Sequence, residues 1–137
     1  MFTNKTYYLA SLILFSVAIF GAILNSVLNF DLISLRFIAL GYPPYLIYIL
    51  GVAQSLGLVL IIFKQGKFLI EWAYAGFFMN LMFSIIAHLL SKEGNGATAV
   101  LCMILLIVNY VFYKKIKYDT RLSKAAKKEY TRLQKVV

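Results

Sequence analysis

The chain has 137 residues, of which 62% are apolar and 14% charged, and its formal net charge is +9. That apolar share exceeds the roughly 45–50% of soluble domains, and a domain this small buries only part of its surface, so a soluble enzyme with a separate catalytic domain is excluded. The single cysteine, Cys102, excludes an internal disulfide, a dithiol redox centre and a cysteine-based iron–sulfur or zinc site.

Charged residues divide the chain into uncharged runs over 6–30, 37–63, 72–91 and 94–113. Each reaches the length of about 20 residues that a helix needs to cross roughly 30 Å of hydrocarbon. Strand alternation is absent, and helices satisfy their own backbone hydrogen bonds where lipid cannot. The sequence therefore predicts an all-α, integral membrane four-helix bundle. Its helices fall at about 7–28, 44–63, 70–90 and 96–113. The first 113 residues form the bundle domain, and 114–137 form a basic amphipathic tail.

The first helix follows Lys5 and resembles a signal sequence, but its apolar run is too long. Ile23-Leu24-Asn25-Ser26 also lacks a small-residue cleavage site, so this helix is expected to stay attached as a signal anchor. Next, 29–40 mixes Asp31 and Arg36 with Phe30, Ile33, Phe37 and Ile38, as a short interfacial segment would. Gly41 and Pro43-Pro44 break the chain, and proline suits a first helical turn, so the second span starts near Pro44. Lys64-Gln65-Gly66-Lys67 and Ser91-Lys92-Glu93-Gly94-Asn95-Gly96 read as tight polar turns.

Four spans place both termini on one side. That side carries Lys5, Lys64, Lys67 and the nine basic residues from Lys114 to Lys135, twelve in all. Arg36 and Lys92 are the two on the other side. The positive-inside rule then puts both termini in the cytoplasm.

Polar groups inside a membrane are costly and mark where function sits. With this topology Gln54 and Asn80 fall near the midplane, Asn25 and His88 toward the outer side, and Glu71, Tyr74 and Asn109 toward the cytoplasm. Glu71 and His88 stand 17 residues apart on one helix, about 25 Å at 1.5 Å per residue, too far to share a proton directly. Asn80, Ser84 and His88 recur at i, i+4 and i+8 and share one face. Interhelical hydrogen bonding toward the bundle interior is the plainer reading of that stripe, and ligand binding the sharper one. Glu71 at the start of its helix suits the helix dipole and stands four residues after Lys67, which makes it a boundary anchor. The sharper alternative is a carboxylate at the mouth of a cavity. Gln54, Glu71, Tyr74, Asn80 and His88 are the candidate ligand- or proton-binding residues.

One histidine cannot supply both axial ligands of a bis-histidine haem, so haem is disfavoured and no metal site is assigned. Cys102 suits a small packing residue. Close helix approach is expected at Gly21 and Asn25, at Gly51 and Ser55, and around Ala73, Ala75 and Gly76. In the tail, Leu122, Ala126, Leu133 and Val137 fall near one helical face. Lys114, Lys115, Lys117, Arg121, Lys124, Lys127, Lys128 and Arg132 are expected to bind lipid headgroups, so the positive charge points to membrane lipids and not to nucleic acid.

Leu40-Gly41-Tyr42-Pro43-Pro44, Gly51, Leu56-Gly57, Glu71-Trp72-Ala73-Tyr74-Ala75-Gly76-Phe77 and His88 together resemble the DoxX-like family of small bacterial membrane proteins. The Glu-Trp-Ala-Tyr-Ala-Gly run is the most specific part, and the resemblance covers roughly residues 8–113. It implies a four-helix bundle in a bacterial inner membrane. The family is named after a small subunit of an archaeal thiosulfate:quinone oxidoreductase. The leading reading is therefore a non-catalytic accessory or anchor subunit of a quinone-linked redox system, with a redox protein or a second copy as partner. Quinone is the candidate ligand. A small transporter or ligand-binding protein, with a cavity lined by Gln54, Glu71, Tyr74 and Asn80, is the alternative. An enzyme acting alone lacks a nucleophile–base pair or metal constellation.

Overall fold

The computed structural model describes residues 3–64, 66–91 and 96–134. Among these residues five helices follow one another: α1 (Asn4–Leu28), α2 (Phe30–Ala39), α3 (Leu46–Phe63), α4 (Lys67–Ser91) and α5 (Ala97–Gln134). No strand occurs among the described residues. All but α2 are long and apolar enough to cross a membrane. At most 22% of the residues in each apolar stretch are buried inside the bundle. Many of the others, including Ile13, Val17, Val52, Phe83 and Leu101, face outward, as side chains solvated by lipid would. This is an all-α integral membrane protein.

The spans close in a ring, α1 against α5, α5 against α4, α4 against α3 and α3 against α1. The core follows helical spacing. Tyr8, Leu12, Phe15 and Ile19 project from α1, and Ile70, Tyr74, Phe77 and Leu81 from α4, each set at i, i+4, i+7 and i+11. Leu58 and Ile61 of α3 and Cys102 and Leu106 of α5 complete it, so Cys102 is a packing residue as expected.

Phe77 is the pivot of that core. Its ring meets Phe15 edge-on at 5.1 Å, and a Cβ added to Gly57 would sit 2.8 Å from Cε2 of Phe77. The close approach of α3 to α4 thus rests on Gly57. Of the expected small-residue contacts, Ala73 packs against the core, but nothing comes within 4 Å of a Cβ at Gly21, Gly51 or Gly76, and Ser55 is exposed and bonds its own helix at Gly51 O.

The segment between the first two spans is indeed helical. No residue of α2 is buried, and Leu32, Leu35 and Ile38 are all exposed, which suits a helix lying at an interface. Phe30 stacks on Tyr48 at 5.0 Å, tying α2 to the start of α3. That start is Leu46, two residues later than expected, because Pro43 and Pro44 form a turn whose carbonyls accept from Leu46 and Ile47.

Two boundaries differ more. α4 opens at Lys67, so Glu71 stands beyond the first turn, which holds no acidic residue. The last span does not end at 113 either. Residues 97–134 contain neither glycine nor proline, and α5 runs unbroken for 38 residues, about 57 Å at 1.5 Å per residue. A core of roughly 30 Å accommodates little more than half of it. The remainder carries Lys127, Lys128 and Arg132 beyond the bundle on a continuous helix. Lys92, Glu93, Gly94 and Asn95 of the second expected turn, Gln65 of the first, and Val137 of the tail lie outside the described residues.

Candidate functional site

At the end of the bundle where both described termini lie, Asn4 on α1 donates to Asp119 on α5 at 3.4 Å. The same end gathers Tyr8, Tyr74, Tyr110 and Tyr113. Tyr74 meets Tyr110 edge-on at 5.0 Å and Tyr113 at 5.7 Å, and Tyr113 in turn lies 6.5 Å from Tyr8. These rings form one aromatic layer linking α1, α4 and α5.

Beneath that layer lies a closed polar node. Asn109 is fully buried, and its amide oxygen accepts from the Tyr74 hydroxyl at 2.5 Å. Its amide nitrogen donates to the Tyr8 carbonyl and to Ser11 Oγ, both at 3.0 Å. Ser11 also donates to the Tyr8 carbonyl. Every branch of the asparagine is satisfied, as burial in low dielectric requires. The node therefore ties three helices together and leaves Asn109 no spare donor for a ligand.

Glu71, one turn before Tyr74 on α4, behaves differently. Its Oε2 accepts from the Tyr110 hydroxyl at 2.9 Å. Its Oε1 accepts from Lys114 Nζ at 2.7 Å, and Lys117 Nζ stands 3.5 Å away. The carboxylate keeps 30% of its side-chain surface exposed. Its ion-pair partners are thus on α5, 43 and 46 residues away, and not the expected Lys67. Glu71 holds two helices together instead of only anchoring its own.

Glu71, Tyr74 and Tyr110 form the polar end of a cleft of about 410 Å³ between α4 and α5. Its other walls are Ala75, Phe78, Met79, Leu106 and Ile107, all apolar. Phe78, Met79 and Ile107 are partly exposed, so the cleft opens on the outer face of the bundle. A slot with apolar walls and a few convergent polar groups is what a small amphiphile requires. Glu71 accepts hydrogen bonds there, and Lys114, 46% exposed, retains donors beyond the one it gives Glu71.

Of the five candidates read from the sequence, Glu71 and Tyr74 meet in this cleft. Gln54 and Asn80 are partly exposed and are not among the residues that line it. Asn80, Ser84 and His88 share a face as predicted, but all three are only half-buried. The buried face of α4 is that of Ile70, Tyr74, Phe77 and Leu81. His88 lies at the opposite end of α4 from Glu71, against Gly96, where an added Cβ would stand 3.2 Å from His88 Cβ. Of the eight basic residues of the tail, Lys114 and Lys117 turn toward Glu71. Lys115, Arg121, Lys124, Lys127, Lys128 and Arg132 are exposed along α5. Sequence reasoning did not single out Tyr8, Ser11, Tyr110 or Tyr113. The available signal was the recurrence of tyrosines near the basic ends of three spans, where amphipathic rings favour the membrane interface.

A ring of four apolar spans with its polar chemistry collected at one end defines a small multi-pass membrane protein. The chain belongs to the DoxX-like family, whose family model matches residues 8–111. Glu71, Tyr74, Asn109 and Tyr110 lie within the match, whereas Lys114 and Lys117 lie just beyond it. No curated protein and no solved structure matches the chain.

Proposed function

We propose that this protein is a non-catalytic accessory or anchor subunit of a quinone-linked redox system in the bacterial inner membrane. In that role it holds a quinone-like or lipid-like amphiphile in the α4–α5 cleft. The observation that carries the reading is the cleft's polarity: five apolar walls run to a single polar end made by Glu71, Tyr74 and Tyr110. A quinone fits that arrangement, with its isoprenoid chain along Phe78, Met79, Leu106 and Ile107. Its head would then lie near Tyr110 and Lys114, where a carbonyl finds a donor. A bound quinone would supply the redox chemistry, and Glu71, Tyr110 and Lys114 would position its head.

The alternative, a small transporter or ligand-binding protein, shares the amphiphile but not the partner. The sideways opening of the cleft favours ligand holding over passage across the membrane. A partner, whether a redox protein or a second copy of the chain, is tested by mild crosslinking in native membranes followed by gentle extraction. The accessory role predicts a stoichiometric adduct with a redox protein. A chain that runs alone after crosslinking contradicts that role and leaves ligand holding as the function.

A further inference from the structure

A second concavity, of about 270 Å³, lies at the same end of the bundle but on the other side of the aromatic layer from the cleft. It is lined by Lys64 and Lys67 from the α3–α4 turn and by Lys117, Arg121 and Lys124 from α5, with Tyr8 at its base. No carboxylate lines it. Lys117, Arg121 and Lys124 fall at i, i+4 and i+7, so one face of α5 is turned to it. Two segments some fifty residues apart thus bring five cations to one cup.

Like charges so placed repel one another, and a concave wall of low dielectric focuses their field. Little in the protein offsets this. Lys117 lies 3.5 Å from Glu71, but Lys64, Lys67, Arg121 and Lys124 form no ion pair with a described carboxylate. Lys64 lies over the Tyr8 ring at 4.8 Å and Lys117 over Tyr113 at 5.4 Å, contacts that fix the ammonium groups without neutralising them. Lys64 also takes a left-handed conformation, φ 54°, at a helix end where glycine or asparagine is usual. α4 begins at Lys67, so the positive end of its dipole adds to the same rim.

From this arrangement we infer that the cup is a binding site for a phosphate group, either of an anionic lipid headgroup or of a free phosphate compound. A cup of this size exceeds the roughly 30 Å³ share of one water several-fold, enough for a phosphate group with attached atoms. Arginine and lysine around it supply the charge-assisted hydrogen bonds that phosphate oxygens accept. The site is separate from the α4–α5 cleft and does not depend on what occupies that cleft.

The test uses the full chain in lipid nanodiscs and compares Lys67→Gln/Arg121→Gln with Lys5→Gln/Arg36→Gln, an exposed pair that removes equal charge away from the cup. In one arm the discs contain phosphatidylcholine and phosphatidylglycerol, and native mass spectrometry reads the phosphatidylglycerol retained. In the other, discs of phosphatidylcholine alone are titrated with inorganic phosphate, followed by phosphorus NMR. Cup-dependent retention of phosphatidylglycerol, weakened about tenfold or more by the cup pair alone, identifies a lipid headgroup. The same pattern with inorganic phosphate identifies a free phosphate compound. Equal effects of the two pairs, or no binding in either arm, overturn the inference, because binding would then follow net charge or not occur.

Discussion

The Tyr74 hydroxyl of α4 donates to the Asn109 amide of α5 at 2.5 Å, at a buried polar group that three spans share. Tyr74→Phe leaves the Asn109 oxygen without its donor, and Asn109→Leu strands the Tyr74 hydroxyl, each at a cost of about 1–3 kcal/mol. The double variant should recover part of that loss. Interhelical hydrogen bonds in membranes couple by about 0.6 kcal/mol and reach roughly 1.7. Unfolding of the four proteins in mild detergent gives the coupling directly, and strictly additive losses would contradict the node.

Gly57 is predicted to be the least replaceable glycine of the spans. A side chain there meets the ring of Phe77, which is itself pinned by Phe15. Overpacking of this kind typically costs about 1–3 kcal/mol, so Gly57→Leu should lower the unfolding midpoint clearly. Gly51→Leu, whose Cβ would meet nothing within 4 Å, should leave it nearly unchanged. Thermal unfolding of both variants in the same lipid separates them.

Glu71→Gln should preserve an acceptor for Tyr110 while abolishing the ion pairs with Lys114 and Lys117. Because the carboxylate and Lys114 are partly exposed, the stability change should stay below about 1 kcal/mol. Amphiphile retention, in contrast, should fall, since the polar end of the cleft changes. A variant that unfolds readily yet keeps its ligand would make Glu71 a structural strut only.

These predictions draw on features of unequal visibility in the sequence. The spans were legible because lipid imposes a length and an apolar composition on each helix, and the interfacial α2 because its charges interrupt apolar residues. The continuity of α5 was also visible in principle, since no helix breaker falls between Ala97 and Gln134. What a uniformly apolar run conceals is the rotation of each helix about its axis. Asn80 and Asn109 look alike in an apolar run, yet one is half-exposed and the other fully buried. Likewise Lys67 is the near neighbour of Glu71 along the chain, but the fold delivers Lys114 instead. The cleft arises from that same register between α4 and α5.

Orientation makes a further prediction. The basic end of α5 should lie in the cytoplasm if the positive-inside rule governs this chain. A cysteine introduced by Lys128→Cys is exposed, whereas the native Cys102 is buried and gives little background. A membrane-impermeant maleimide should label the variant in inverted vesicles and not in intact cells. Labelling of intact cells would reverse the topology.

The most direct test of the central claim is mass spectrometry of everything retained after gentle purification in native lipid. It compares the wild-type chain with Ala75→Trp, which fills the cleft, and with Val52→Trp, which adds the same bulk at an exposed position of α3. The account predicts a stoichiometric quinone-like or lipid-like molecule on the wild type and on Val52→Trp, and its loss from Ala75→Trp. Bulk lipid alone on all three, or the same molecule held equally by all three, would contradict it.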